Sequence, residues 1–147
     1  MNIPVQIDEN SAEPLYAQIE KQLRSLIVTR QIAAGTLLPS IREFAGTLRC
    51  SVITIRRVYQ DLENEGLLRT RQGTGTFVAL VEDDKRSGYR LKAVTEALET
   101  AVDTGIAVQM TEQELLELFA DMVKRKYESK RRSDARGNTN HRDEPSL

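Results

Sequence analysis

The stretch LPSIREFAGTLRCSVITIRRVYQDLENEG, Leu38–Gly66, holds two helix starts and a helix stop in a short span. Ser40-Ile41-Arg42-Glu43 has the form of a capping box, in which the serine hydroxyl accepts from the backbone of Glu43 and the glutamate reaches back to the backbone of Ser40. Ile41, Phe44, Ala45 and Leu48 then fall on one face of a short helix. Arg49-Cys50 leaves room only for a tight connection, and Ser51 is placed to cap a second helix that runs to about Glu65. Along that helix Val52, Ile55, Val58, Tyr59 and Leu62 recur at three- and four-residue steps, which places them toward the core. Gly66 ends it.

Upstream, a helix is expected to open at Pro14, with Leu15, Ile19, Leu23, Leu26 and Ile27 as its apolar stripe and Gly35 marking the break beyond it. Downstream, Leu67–Arg71 and Thr76–Ala79 flank Gln72-Gly73-Thr74-Gly75, two strand-like runs around a glycine turn. Helix, helix, turn, helix, hairpin is the order of a winged helix-turn-helix, a mainly α fold with a small β-hairpin. Residues 81–86 read as a polar linker. A fourth helix follows with Leu91, Val94, Leu98, Ala101 and Val102 on one face and Gly105 at its end. Thr111-Glu112-Gln113-Glu114 is a second capping box, opening a fifth helix with Leu115, Leu118, Phe119, Met122 and Val123. The expected organisation is a winged domain over residues 1–80, a helical extension over 81–127, and a disordered polar tail over 128–147.

Outward on the second helix of the quoted stretch stand Ser51, Ile53, Thr54, Arg56, Arg57 and Gln60. A helix of this length fits the major groove of DNA, where its first turn meets the base edges. Ile53 and the Thr54 methyl suit thymine methyl groups, and Arg56 or Arg57 suits guanine or phosphate. In the hairpin, Arg69 and Arg71 flank a turn whose Gly73 and Gly75 let backbone approach a phosphate without a Cβ in the way. Arg42 adds a cation on the preceding helix. The bland alternatives are solvated surface charges and ordinary turn glycines; the combination favours double-stranded DNA as partner.

Composition gives no such hint by itself. The net charge is -1, and residues 1–80 hold nine Lys/Arg against eight Asp/Glu, so any DNA-binding face depends on where the cations sit. Cys50 is the only cysteine, which excludes an intramolecular disulfide and leaves no cysteine-based zinc site; no metal or cofactor is expected. The N-terminal residues lack the basic and apolar regions of a signal peptide, and no apolar run reaches membrane-spanning length, so a cytoplasmic location is expected with no membrane partner. Catalysis is disfavoured as well: His141, the only histidine, lies in the expected tail, and neither a phosphate loop nor a carboxylate–histidine cluster occurs. The remaining alternative is a winged module that binds protein through Ile53.

These motifs together resemble the N-terminal domain of the GntR family of bacterial regulators. The resemblance runs over about residues 12–80, roughly half the chain, through Pro14–Ile19, Gly35–Glu43, Thr54–Arg57, Leu62–Leu68 and Arg71–Val78. The short extension resembles the YtrA subfamily, whose members dimerise through it and often regulate neighbouring transporter genes. The resemblance implies DNA contacts at Arg42, Ser51, Thr54, Arg56 and Gln72-Gly73. It also implies a polar contact where Val52 stands, in conflict with the inward reading of that residue. Cys50, where a small apolar residue is usual, reads as a buried filler.

Two amphipathic helices cannot enclose a drug-sized pocket, typically ~300–1,000 Å³, and no small-molecule effector is assigned. They can bury Leu91, Val94, Leu98, Leu115, Phe119 and Met122 against a second copy, or else against the winged domain of their own chain. A two-fold homodimer would set recognition helices about one helical turn, ~34–36 Å, apart. Lys124-Arg125-Lys126 and Lys130-Arg131-Arg132 form a basic cluster, read either as a solubilising tail or as a contact to flanking DNA.

Overall fold

The computed structural model describes residues 2–137. Its elements are α1 (Leu15–Val28), α2 (Ile41–Leu48), α3 (Val52–Asn64), β1 (Leu68–Arg71), β2 (Gly75–Val78), α4 (Asp83–Ala107) and α5 (Glu112–Gly137). They fall into two compact units, one reaching Ala93 and the other starting at Val94.

In the first unit, α1, α2 and α3 enclose a core of Ile19, Leu23, Phe44, Ile55, Val58 and Leu62, all nearly inaccessible to water. Pro14, expected to open α1, stands at the N-cap position just outside it, with no side-chain cap bond. Ser40 caps α2 by accepting from the Glu43 backbone N–H at 3.1 Å. The expected return bond differs: the Glu43 carboxylate accepts from the Ser40 hydroxyl at 3.2 Å. Arg49 ends α2 in the left-handed region, with φ 54°, and Cys50 leads into the Ser51 cap of α3. Cys50 is half-buried and not a fully buried filler; burial nevertheless pushes its thiol pKa up. The phenol of Tyr59 donates to the carbonyl of Pro39 at 2.7 Å, tying α3 to the loop that starts α2.

β1 and β2 pair antiparallel, Leu68 opposite Val78 and Arg71 opposite Gly75. The far edge of β2 is also occupied: Leu38 N–H donates to Thr76 O at 2.9 Å and Val78 N–H to Thr36 O at 2.9 Å. The hairpin is thereby fastened to the segment leading into α2.

Two parts of this unit depart from the sequence reading. Residues 2–8 contribute to the core, with Ile3 buried and Val5 and Ile7 packed against it. Two glutamines of α1 hold this arm by acting as surrogate backbone. Gln22 accepts from Gln6 N–H at 2.8 Å and donates to Gln6 O at 2.6 Å; Gln18 treats Asp8 in the same way at 2.9 and 3.1 Å. The expected linker 81–86 is the second departure. Val81 is buried, and α4 starts at Asp83, whose charge and that of Asp84 favour a helix N-terminus. Arg86 Nε then donates to Val28 O at 2.6 Å, and Tyr89 Oη to Glu65 O at 3.1 Å.

Between α1 and α3 lies a carboxyl group that binds its proton unusually well. Arg24 is engaged by Glu65 in a forked pair at 2.8 and 2.6 Å, and its approach to Glu20 is 3.9 Å. One carboxyl oxygen of Glu20 is buried with no hydrogen-bond partner. Burial, then the hydrogen bond and charge of Asp61, push Glu20 up to about 7, against a smaller opposing pull from Arg24. A folded pKa above the ordinary 4.5 means that the folded protein holds a proton which the unfolded chain releases. That contribution is full below pH 4.5 and is lost as pH rises through 7. Glu20→Gln, which has no charge to desolvate, is therefore expected to be more stable than wild type at pH 8 by on the order of 1–3 kcal/mol. Most of the difference should vanish at pH 5. Urea melts at the two pH values check this, and an equal difference at both would refute it.

In the second unit the end of α4 meets the start of α5. Gly105 does not end α4 but lies within its last turn and is buried; a Cβ there would stand 3.1 Å from a Leu115 methyl group. The connection turns at Gln109, with φ 62°, and Thr111 and Glu114 form the full reciprocal box, at 2.8 and 3.1 Å. α5 runs to Gly137, beyond the expected end of order near Glu128. Residues 138–147, with His141, lie outside the described residues. Apart from Gly105, no residue of α4 is buried, and none of α5 is.

Candidate nucleic-acid interface

An open cleft in the first unit is walled by the start of α2, the first turns of α3 and the hairpin. Arg42, Val52, Arg56, Thr74 and Gly75 all line it. The Tyr59–Pro39 hydrogen bond ties α3 to the loop that starts α2, and Arg42 and Arg56 line one cleft from these two helices. Neither arginine forms an ion pair among the described residues. Two guanidiniums without ion pairs, against the single carboxylate of Glu43 on the same cleft, leave a surplus of positive charge beside an exposed helix start, a surface that attracts anions.

Comparison with known proteins gives the family. The model for bacterial regulatory proteins of the gntR family matches residues 15–78. The chain is also 34% identical over 111 residues to the uncharacterized HTH-type transcriptional regulator YhcF of Bacillus subtilis (strain 168), spanning 73% of this chain and 88% of YhcF. The chain belongs to the GntR family. The HTH-type transcriptional repressor YtrA of Bacillus subtilis (strain 168) is 36% identical over 75 residues, 51% of this chain and 58% of YtrA. Among solved structures, YtrA from Sulfolobus acidocaldarius, a GntR-family transcription factor, has a TM-score of 0.52 and 31% identity, covering 67% of this chain and 99% of that one. This GntR protein is YtrA-like, a DNA-binding transcription regulator built on a winged helix-turn-helix, and not an enzyme.

The residues singled out in the sequence, from the pattern and from the GntR resemblance, do not all come together. Arg42, Arg56, Thr74 and Gly75 line the cleft, while Gln72 and Gly73, at the exposed tip of the hairpin, do not. Ile53 is 77% exposed at the start of α3. Ser51 and Thr54 are turned on each other: Ser51 Oγ accepts from Thr54 N–H at 3.2 Å and lies 2.7 Å from Thr54 Oγ1. Arg57 is directed to α1, its guanidinium 3.6 Å above the Tyr16 ring and 3.7 Å from Asp61. Arg71 spreads over the Phe77 ring at 5.6 Å. Val52, read as core-facing, is 37% exposed and belongs to the cleft. It occupies the first position of α3, where a helix side chain has not yet turned onto the α1–α3 contact.

The two hairpin glycines do different work. Gly73, with φ 81° and nothing near its missing Cβ, is free at the tip. At Gly75, with φ 135°, a Cβ would stand 2.9 Å from the Leu37 side chain. Its close approach is therefore to Leu37 within the fold. Gly75→Ala is expected to destabilise the protein by ~1–3 kcal/mol, chiefly through the backbone, because the half-exposed Leu37 methyl can turn aside. Gly46→Ala, in an open helical position, should instead stabilise by about 0.5–1 kcal/mol. Denaturant unfolding of the two variants checks the contrast, which equal shifts would contradict.

Proposed function

We propose that the protein is a cytoplasmic homodimer that represses transcription by occupying an inverted-repeat operator, with transporter genes among its targets. The observation that carries this reading is the convergence of Arg42 and Arg56 on one cleft, beside the exposed first turn of α3 and the glycine-tipped hairpin. In this reading α3 enters the major groove with its first turn toward the base edges. Arg42 and Arg56 donate to guanine or to phosphate, Gln72 and Gly73 follow the adjoining backbone, and the exposed parts of Arg57 and Arg71 meet phosphates. Repression follows from occupancy of the site, and a repressor among the relatives supports that sign.

The dimer is supported by the second unit. Its Val94, Leu98, Phe119 and Met122 remain exposed, Leu115 is half-covered, and Leu91 is exposed in the earlier part of α4. Exposed apolar residues at helical spacing on two long helices suit a twin helical pair. The basic residues from Lys124 to Arg132 lie on α5 and add a cationic helix end suited to flanking phosphates.

The first test is the salt dependence of binding to duplex DNA. A dimer neutralising several phosphates per half-site should lose on the order of a thousandfold or more in affinity between 50 and 200 mM salt. Salt-insensitive binding, or none, would favour the protein-binding reading, for which the exposed Ile53 is the specific observation.

A further inference from the structure

The first turn of α3 offers the groove little that can hydrogen-bond. Val52 and Ile53 are its exposed side chains. The hydroxyls of Ser51 and Thr54 are engaged with each other and with the helix cap, and Thr54 is half-buried. Val52 lines one cleft with Arg42 and Arg56, which are the cationic donors there. From this arrangement, and resting on the DNA-binding reading above, we infer that Val52, together with Ile53, reads the C5-methyl group of thymine in the operator half-site.

Major-groove chemistry explains the choice. A base edge pressed against valine loses the water on its polar atoms and receives no hydrogen bond in return, which is unfavourable. The thymine methyl is the one apolar group that the four bases present in that groove. A β-branched side chain in a helix is held in one main rotamer, so Val52 offers a fixed apolar surface with little entropy left to lose. Where Arg42 or Arg56 reaches a base edge it selects guanine, and the half-site then combines thymine opposite Val52 with an adjacent guanine. Cytosine methylated at C5 carries the same methyl group and should partly replace thymine there.

The test uses the full-length protein and an operator selected from random duplexes. Each thymine of one half-site is replaced singly by deoxyuridine, which removes only the methyl group. One or two positions should lose about fourfold in affinity, the worth of a buried methyl group. In Val52→Ala and in the nearly isosteric Val52→Thr that sensitivity should shrink at the Val52 position, while the effect of replacing the neighbouring guanine persists. Thermal melts confirm that both variants are folded. Methyl-insensitive binding to a genuine operator, or an equal deoxyuridine effect in wild type and both variants, overturns the inference and leaves operator binding intact. Failure to select any operator overturns both readings.

Discussion

Arg42→Ala combined with Arg56→Ala is expected to weaken operator binding by on the order of 2–6 kcal/mol without unfolding the protein. Each guanidinium can form two parallel hydrogen bonds to a guanine edge or clamp a phosphate, and each such contact is worth ~1–3 kcal/mol. Both side chains are exposed and lie outside the core, so their removal leaves no cavity. Titration of operator DNA, with a thermal melt as folding control, reads the effect. If the arginines contact bases, the variant should also discriminate less between the operator and its guanine-substituted versions. If they contact phosphates only, affinity should fall evenly across sequences and the salt slope should flatten. Wild-type affinity in the folded double variant would remove both residues from the interface.

The second large effect concerns assembly. Phe119→Asp combined with Met122→Asp should convert the dimer to monomers and lower affinity for the full inverted repeat by about a hundredfold or more. The two side chains are 48% and 43% exposed in the single chain, so the aspartates meet water in the monomer and become buried charges only in a dimer. Binding to an isolated half-site should barely change, because the first unit is untouched. Sedimentation gives the mass and duplex titrations give the affinities. A variant that stays dimeric refutes the assignment of these residues. Point substitutions are preferable to cutting the chain near Ala79, since a cut there would remove Val81 from the core along with the ties from Arg86 and Tyr89.

Much of the fold was legible because it is written locally. Ser40, Ser51 and Thr111 cap their helices with neighbours three residues on, and these short-range bonds do not depend on distant structure. The stripe of α3 was legible from Ile55 onward, where four core residues fix its phase. Val52 was misplaced by extending that phase backward to a position at the helix start, where exposure depends on what the cap and the neighbouring helix cover. The linker expectation failed at Asp83 and Asp84 because polarity was read without the preference of acidic residues for a helix start. The end of α5 was missed for a related reason: Lys, Arg, Glu and Ala sustain a helix with no apolar stripe. The alternation of Ile3, Val5 and Ile7 was a signal for the N-terminal arm that went unread. Its anchoring by Gln18 and Gln22 is a tertiary matter that no local pattern carries.

The site was legible in its parts, and its assembly came from the structure. The sequence marked Arg42, Arg56 and the hairpin glycines, but not that the Leu37 side chain lies over Gly75 or that Arg57 turns to Tyr16. Those depend on contacts between residues far apart in the chain.

The measurement that bears most directly on the account is selection of bound duplexes from a random DNA library by the purified full-length protein at moderate salt. The account predicts enrichment of an inverted repeat whose half-sites lie about one helical turn apart, ~34–36 Å between centres. Folded, dimeric protein that enriches no sequence, or that enriches a single unpaired site, would contradict it.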